Sequence, residues 1–212
     1  MLELDHLVVA CLDLDEGEAW LRERLGVPLA PGGQHPGWGT HNRLLRLDGG
    51  VYLELIAPDP SQPEPTAPRP FLLDDAAMRA RLKRRPHLVH WLVRADDLER
   101  ELGGLGYLPG AVTPMTRGSL RWRITVPTGG RPAGDGLLPS VIRWDVPMSE
   151  HPTARLPDAG VTLASLTVRG PRAIVERRPR VVAPVAIEWL ETRDGPGLSA
   201  ALIAPAGRVT LD

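Results

Sequence analysis

Leu4-Asp5-His6-Leu7-Val8-Val9 returns 84 residues later as Leu88-Val89-His90-Trp91-Leu92-Val93, and Asp13-Leu14 returns at the same offset as Asp97-Leu98. Each hexapeptide is a short apolar run broken by one histidine, the pattern of a buried strand. Alternation puts Leu4, His6, Val8 and Ala10 on one face of the first run and Leu7, Val9 and Cys11 on the other. A helix follows: Asp13 and Glu16 have capping-box spacing, Leu14, Leu21 and Leu25 form an apolar stripe, and Gly26 suits the residue just past the end. Leu105-Gly106 repeats Leu25-Gly26 at a slightly shorter offset, so the second helix is about one turn shorter.

After this helix a short strand is expected near Val27–Ala30, then a Gly-rich loop from Pro31 to Gly39. Two apolar runs, Arg43–Leu47 and Val51–Ile56, flank Asp48-Gly49-Gly50, a hairpin signal. Residues 1–57 therefore read β-α-β-β-β. A Pro-rich stretch and a helical segment over Phe71–Arg85 make residues 58–86 a connector. The pattern then recurs over 87–147, with strands at Arg121–Val126 and Leu138–Asp145. Such self-similarity marks a duplicated supersecondary unit, and neither copy could cover both faces of its sheet alone. The expected fold is α+β: paired βαβββ modules forming a curved mixed sheet around a central cavity. Residues 158–212, with a strand at Val161–Val168, a short helix and three further strands, read as a partial third module packed on the others.

Composition narrows the function. The chain is 42% hydrophobic and 24% charged, which is globular, and its net charge of −1 with no basic stripe excludes a nucleic-acid or anionic-membrane footprint. Cys11 is the only cysteine, so no internal disulfide or cysteine zinc site is available. With no cationic leader and no run of transmembrane length, a cytoplasmic protein is expected. Arginine supplies all but Lys83 of the basic side chains, the mark of a GC-rich, bacterial coding bias.

The repeat, with histidine on the first strand and glutamate on the last, resembles the vicinal oxygen chelate superfamily of glyoxalases, extradiol dioxygenases, epimerases and antibiotic-sequestering proteins. The stretch Gly32-Gly33-Gln34-His35-Pro36-Gly37-Trp38-Gly39-Thr40-His41-Asn42-Arg43, followed by Tyr52-Leu53-Glu54-Leu55, is similar to its glyoxalase-like branch. The resemblance implies ligands pointing inward from the first and last strands of each module: His6, Glu54 and His90. The fourth position departs from the pattern, because Ile142 or Arg143 stands where a carboxylate is expected. Two histidines and a carboxylate suit a divalent ion (Zn, Fe, Mn, Co or Ni) with open positions.

The remaining expectations concern the ligand. His35 is the candidate general acid or base, and His41, Asn42, Tyr52, Arg117 and Arg143 the candidate substrate contacts. Each has a plainer reading: a sheet histidine satisfied by hydrogen bonds, a turn asparagine, a solvated arginine. Glu54 has the least room for one, because a carboxylate inside an apolar strand needs a partner. Two functions stay open. One is a metal-dependent lyase, isomerase or dioxygenase acting on a small oxygenated metabolite. The other is a metal-free binding or sequestering protein. The expected partner is a small molecule, with a homodimer allowed.

Overall fold

The computed structural model describes residues 1–212. Strand β1 (Leu2–Ala10) leads into helix α1 (Leu14–Leu25). Asp13 caps α1 by accepting from the backbone N–H groups of Asp15 and Glu16, and Gly26 ends it in the left-handed region at φ 75°. Strands β2 (Ala30–His35), β3 (Thr40–Leu47) and β4 (Val51–Pro58) complete the first unit. After helix α2 (Ala76–Leu82), the second unit repeats the order: β5 (His87–Ala95), α3 (Leu98–Gly103), β6 (Ala111–Arg117), β7 (Leu120–Val126) and β8 (Ser140–Trp144). No helix is long and apolar enough to cross a membrane.

The strands join in the order β2-β3-β4-β1-β5-β8-β7-β6. β1 pairs with β4 in parallel, and β5 with β8 in parallel, while β1 and β5 run antiparallel at the centre. That arrangement is two copies of one topology back to back, a curved mixed sheet with a pseudo-two-fold axis between β1 and β5. On β4 the alternation holds: Val51, Leu53 and Leu55 enter the main core, and Tyr52, Glu54 and Ile56 face the concave side.

On β1 the alternation fails at one residue. Leu4 pairs with Val93 but His6 with Leu92, so Asp5 is the extra residue of a β-bulge. Leu4 therefore sits with Leu7 and Val9 in the main core, not with Val8 and Ala10. A second bulge lies on β5, where Val8 pairs with His90 and Val9 with Leu88, leaving Val89 extra. Asp5 and Val89 are themselves 84 residues apart, so the bulge is part of the repeat.

Two expectations about the connections change. The Gly-rich stretch is strand β2 as far as His35, with a register shift between Pro31 and Gln34 that absorbs Gly32-Gly33, and only Pro36–Gly39 is a turn. The Phe71–Arg85 helix is confined to α2, because Phe71 and Leu72 adopt φ 60° and 63° in a turn at Pro70–Leu72. The rest of the chain forms α4 (Pro152–Arg155), β9 (Thr162–Gly170), α5 (Arg172–Val175), β10 (Val181–Val182), β11 (Ile187–Glu191), β12 (Gly197–Ala204) and β13 (Gly207–Leu211). β10 adds to the edge of β1, and the others make a second sheet, β11-β9-β12-β13. Leu163, Leu166, Val168, Leu198 and Leu202 of that sheet share one buried cluster with Leu7, Leu25, Trp91 and Val93.

Candidate functional site

The bulge at Asp5 creates the site. Adjacent residues of a regular strand point to opposite faces, but here the extra residue turns so that Asp5 Oδ1 lies 2.6 Å from His6 Nδ1. Asp5 is fully buried and also accepts from Trp144 Nε1 (3.0 Å) and His151 Nε2 (3.1 Å). Burial alone would raise its carboxyl, but the hydrogen bonds from His151 and His6 outweigh that and hold it well below the usual carboxylate range. Across the concave face, His6 Nε2 is 3.6 Å from Glu54 Oε2 on β4. Burial pushes the His6 imidazole down, yet the two carboxylates on either side win and lift it to about 9. Glu54 is the complement: burial raises it, but His6 and Asn42 bring it to about 2. His6 and Glu54 form a buried ion pair at neutral pH.

Asn42 on β3 fixes the far side of Glu54, its Nδ2 donating to Oε1 at 2.6 Å. Its own Oδ1 accepts from the Gly33 backbone N–H (2.9 Å) and from Arg117 Nη1 (3.1 Å), which reaches over from the second unit. Gly32 is a steric requirement, since a Cβ there would meet Asn42 Oδ1 at 2.0 Å and its backbone oxygen at 2.5 Å. His35, at the end of β2, has Nδ1 3.0 Å from Thr40 Oγ1 and Nε2 3.4 Å from Asn42 Nδ2. Because Asn42 Nδ2 is a donor, His35 Nε2 carries the lone pair and Nδ1 the proton. Burial lowers His35 to about 4, so it is a neutral imidazole. Tyr52 stacks on His6 with ring centroids 4.5 Å apart. Trp38, Phe71, Trp122 and Trp144 wall the cavity, which encloses about 40 Å³.

His6, His35, Asn42, Tyr52, Glu54 and Arg117 thus line one cavity. Three other expected residues do not. His41 alternates with Asn42 and lies on the opposite face of β3, 4.0 Å from Asp59. Arg143 pairs with Asp145 at 3.4 Å on the exposed side of β8, and Ile142 takes the inward position. His90 is fully buried behind the Phe71 ring, 5.3 Å between centroids. Its Nδ1–H donates to the Gly136 carbonyl (3.1 Å), and its Nε2 accepts from the Ser140 backbone N–H and hydroxyl (3.2 and 3.0 Å). Burial lowers it to about 4.

With both ring nitrogens engaged, His90 offers no lone pair to an ion. The donor set expected for a divalent metal therefore does not assemble, and no other group of three or more imidazoles, thiols or carboxylates is placed to hold one. Cys11 is a buried thiol pushed up to about 12 by its surroundings, burial first among them, and it takes no part.

Asp5 and His151 are the functional candidates that the sequence reading missed. Asp5 stood in view beside His6, but strand periodicity assigned it to the other face. His151 follows β8 in a loop with no motif around it, and only the fold brings it to Asp5.

The glyoxalase-like domain family matches residues 4–182, and the chain belongs to this family. A crystal structure of a hypothetical protein from Staphylococcus aureus superposes with a TM-score of 0.64 at 11% identity, covering 100% of this chain and 99% of that one. That likeness establishes the fold over the whole length, the C-terminal sheet included. Methylmalonyl-CoA epimerase from Mycobacterium tuberculosis aligns with a TM-score of 0.38 at 23% identity, over 67% of this chain and 86% of that one. A methionyl-tRNA formyltransferase of Symbiobacterium thermophilum is 26% identical over 132 residues; the match spans 61% of this chain and 39% of that relative.

Proposed function

We propose that the chain is an enzyme that moves a proton at a carbon next to a carbonyl group in a small oxygenated compound. The observation that carries this reading is the His6–Glu54 ion pair, buried and backed by Asp5, beside a neutral His35. An imidazolium lining a buried cavity is a preorganised partner for an enolate oxygen. A neutral imidazole whose lone pair is held only by one long contact, 3.4 Å from Asn42 Nδ2, is a proton acceptor once that contact yields to substrate. His6 is assigned the first role through Nε2–H, and His35 the second through Nε2. Asp5, with Glu54, keeps His6 protonated, Glu54 also holds Asn42 in place, and Arg117 holds Asn42 from the second unit. A cavity of about 40 Å³ fits only the reacting end of a substrate, so the substrate is small or presents a small oxo group.

The test is hydrogen–deuterium exchange in D2O, followed by proton NMR, over a panel of short 2-oxo acids and hydroxyketones. Wild-type protein should catalyse exchange at the carbon beside the carbonyl. His35→Gln and Glu54→Gln should reduce the rate by about 100-fold, the scale of a lost acid–base group, and His41→Gln should leave it unchanged. The rate should fall below about pH 4, as His35 gains a proton, and above about pH 9, as His6 loses one. Absence of exchange across the whole panel rejects the reading. So does exchange that is abolished by EDTA and restored by Zn, Fe, Mn, Co or Ni.

A further inference from the structure

The roomier hollow of the molecule lies elsewhere. A cavity of about 570 Å³ opens in the seam between the start of β5, helix α2 and the second sheet. That size falls in the range of ordinary small-molecule sites, roughly 300–1,000 Å³, whereas the His6–Glu54 cavity does not. Met78, Leu137, Ile174 and Leu198 give it apolar walls, and among its charged side chains Arg81, Arg85 and Arg169 outnumber Asp135 and Asp212. Arg85 is engaged by Asp212, with Nη2 2.7 Å from Oδ1 and Nη1 3.1 Å from the backbone oxygen. Neither Arg81 nor Arg169 has an acidic partner among the ion pairs of the molecule.

A second, independent feature points to a ligand. His87 lines this cavity and is 6% exposed. Its Nδ1–H donates to the Asp212 backbone oxygen at 3.1 Å, which leaves the lone pair on Nε2. That Nε2 is the one buried side-chain nitrogen or oxygen in the protein without a hydrogen-bond partner. Buried polar atoms are nearly always satisfied, so an unpartnered lone pair on a residue that lines a cavity calls for a donor from a bound group or a water.

We infer that this seam is a second ligand site, for an organic oxyanion that carries an O–H group on an apolar body. The oxyanion accepts from Arg81 and Arg169, the O–H donates to His87 Nε2, and the body lies on Met78, Leu137, Ile174 and Leu198. A singly protonated phosphate monoester and a hydroxy acid both have this chemistry.

The experiment is calorimetric titration of the full chain with phenyl phosphate, mandelate and the neutral 1-phenylethanol. One of the two anions should bind at a single saturable site, and which one does tells phosphate ester from hydroxy acid. Arg81→Gln and Arg169→Gln should each weaken it by about tenfold or more, the scale of a charge-assisted hydrogen bond. His87→Phe should weaken it further still in combination. Arg81 is exposed and Arg169 half-buried, so these variants keep the fold. The proposal is overturned if neither anion binds, if 1-phenylethanol binds as tightly, or if affinity survives both arginine substitutions. It is also overturned if binding is abolished by Arg117→Gln, because the probe would then occupy the His6–Glu54 cavity.

Discussion

Two histidines at equivalent places in a repeat have opposite electrostatic characters. His6 follows Asp5 at its bulge, and His90 follows Val89 at the other. A carboxylate at the extra position holds a proton on His6; a valine cannot, so His90 turns to Gly136 and Ser140 and stays neutral. This contrast fixes a pH dependence. His6 is raised from 6.5 to about 9, so its contribution to stability is complete below pH 6.5 and is lost as the pH rises through about 9. Glu54 is lowered from 4.5 to about 2, so its contribution is present above pH 4.5 and is lost as the pH falls through about 2. His35, lowered from 6.5 to about 4, makes the fold less stable as the pH falls from 6.5 towards 4. Together these groups place the optimum near pH 6.5, with a loss on the order of 3 kcal/mol by about pH 9. Urea unfolding across this range checks the sign. NMR titration of the imidazole protons should find His6 near 9, and nearer 6.5 in Glu54→Gln. A wild-type His6 that titrates at its ordinary value contradicts the assignment.

The strand β2 shows how an element is shaped by one contact. Its register shift at Gly32-Gly33 brings backbone against Asn42, and that contact aims the amide at Glu54. Gly32→Ala would force its Cβ to within 2.5 Å of the Asn42 backbone oxygen, which cannot move without β3. The expected cost is about 1–3 kcal/mol from overpacking, together with a loss of proton exchange as Asn42 leaves Glu54. Gly103→Ala is the comparison: a Cβ there meets nothing within 4 Å, and it ends helix α3, so stability should hold or rise. Thermal melts of the two variants decide the matter, and equal midpoints would mean that the glycine pair is ordinary turn chemistry.

At the scale of the molecule, the second sheet is part of the same core as the paired units. Ala206 N–H caps the Leu25 carbonyl at the end of α1, Leu88 N–H reaches the Asp212 backbone oxygen, and Trp189 packs on Trp91 with centroids 5.9 Å apart. Ending the chain after Pro157 would strip one side from Trp91, Val93, Leu7 and Leu25, a large exposed apolar face. We expect the shortened protein to aggregate or to melt without a cooperative transition, as seen by circular dichroism. A soluble product with an unchanged midpoint would show the second sheet to be an independent appendage.

The two βαβββ units, their capped helices and the inward turn of Glu54 were legible in the sequence, because these follow from local rules. An Asp cap and a period of two each act within a few residues of chain, and the 84-residue repeat shows the same local pattern twice. The glycine-rich stretch also marked the right neighbourhood, and His35 and Asn42 do reach Glu54 through it. What periodicity could not give was any feature that breaks it. The bulge that puts Asp5 beside His6 is a register shift between β1 and β5, a property of the pair and of neither strand alone. His151 comes from 146 residues further along the chain to share Asp5, and no local pattern encodes such a meeting. His90 matches His6 in sequence, yet Phe71, Gly136 and Ser140, which are distant in the chain, satisfy it and close it off. Sequence thus determined which side chains the fold could offer to the concave face; the tertiary packing decided which of them meet, and with which protons.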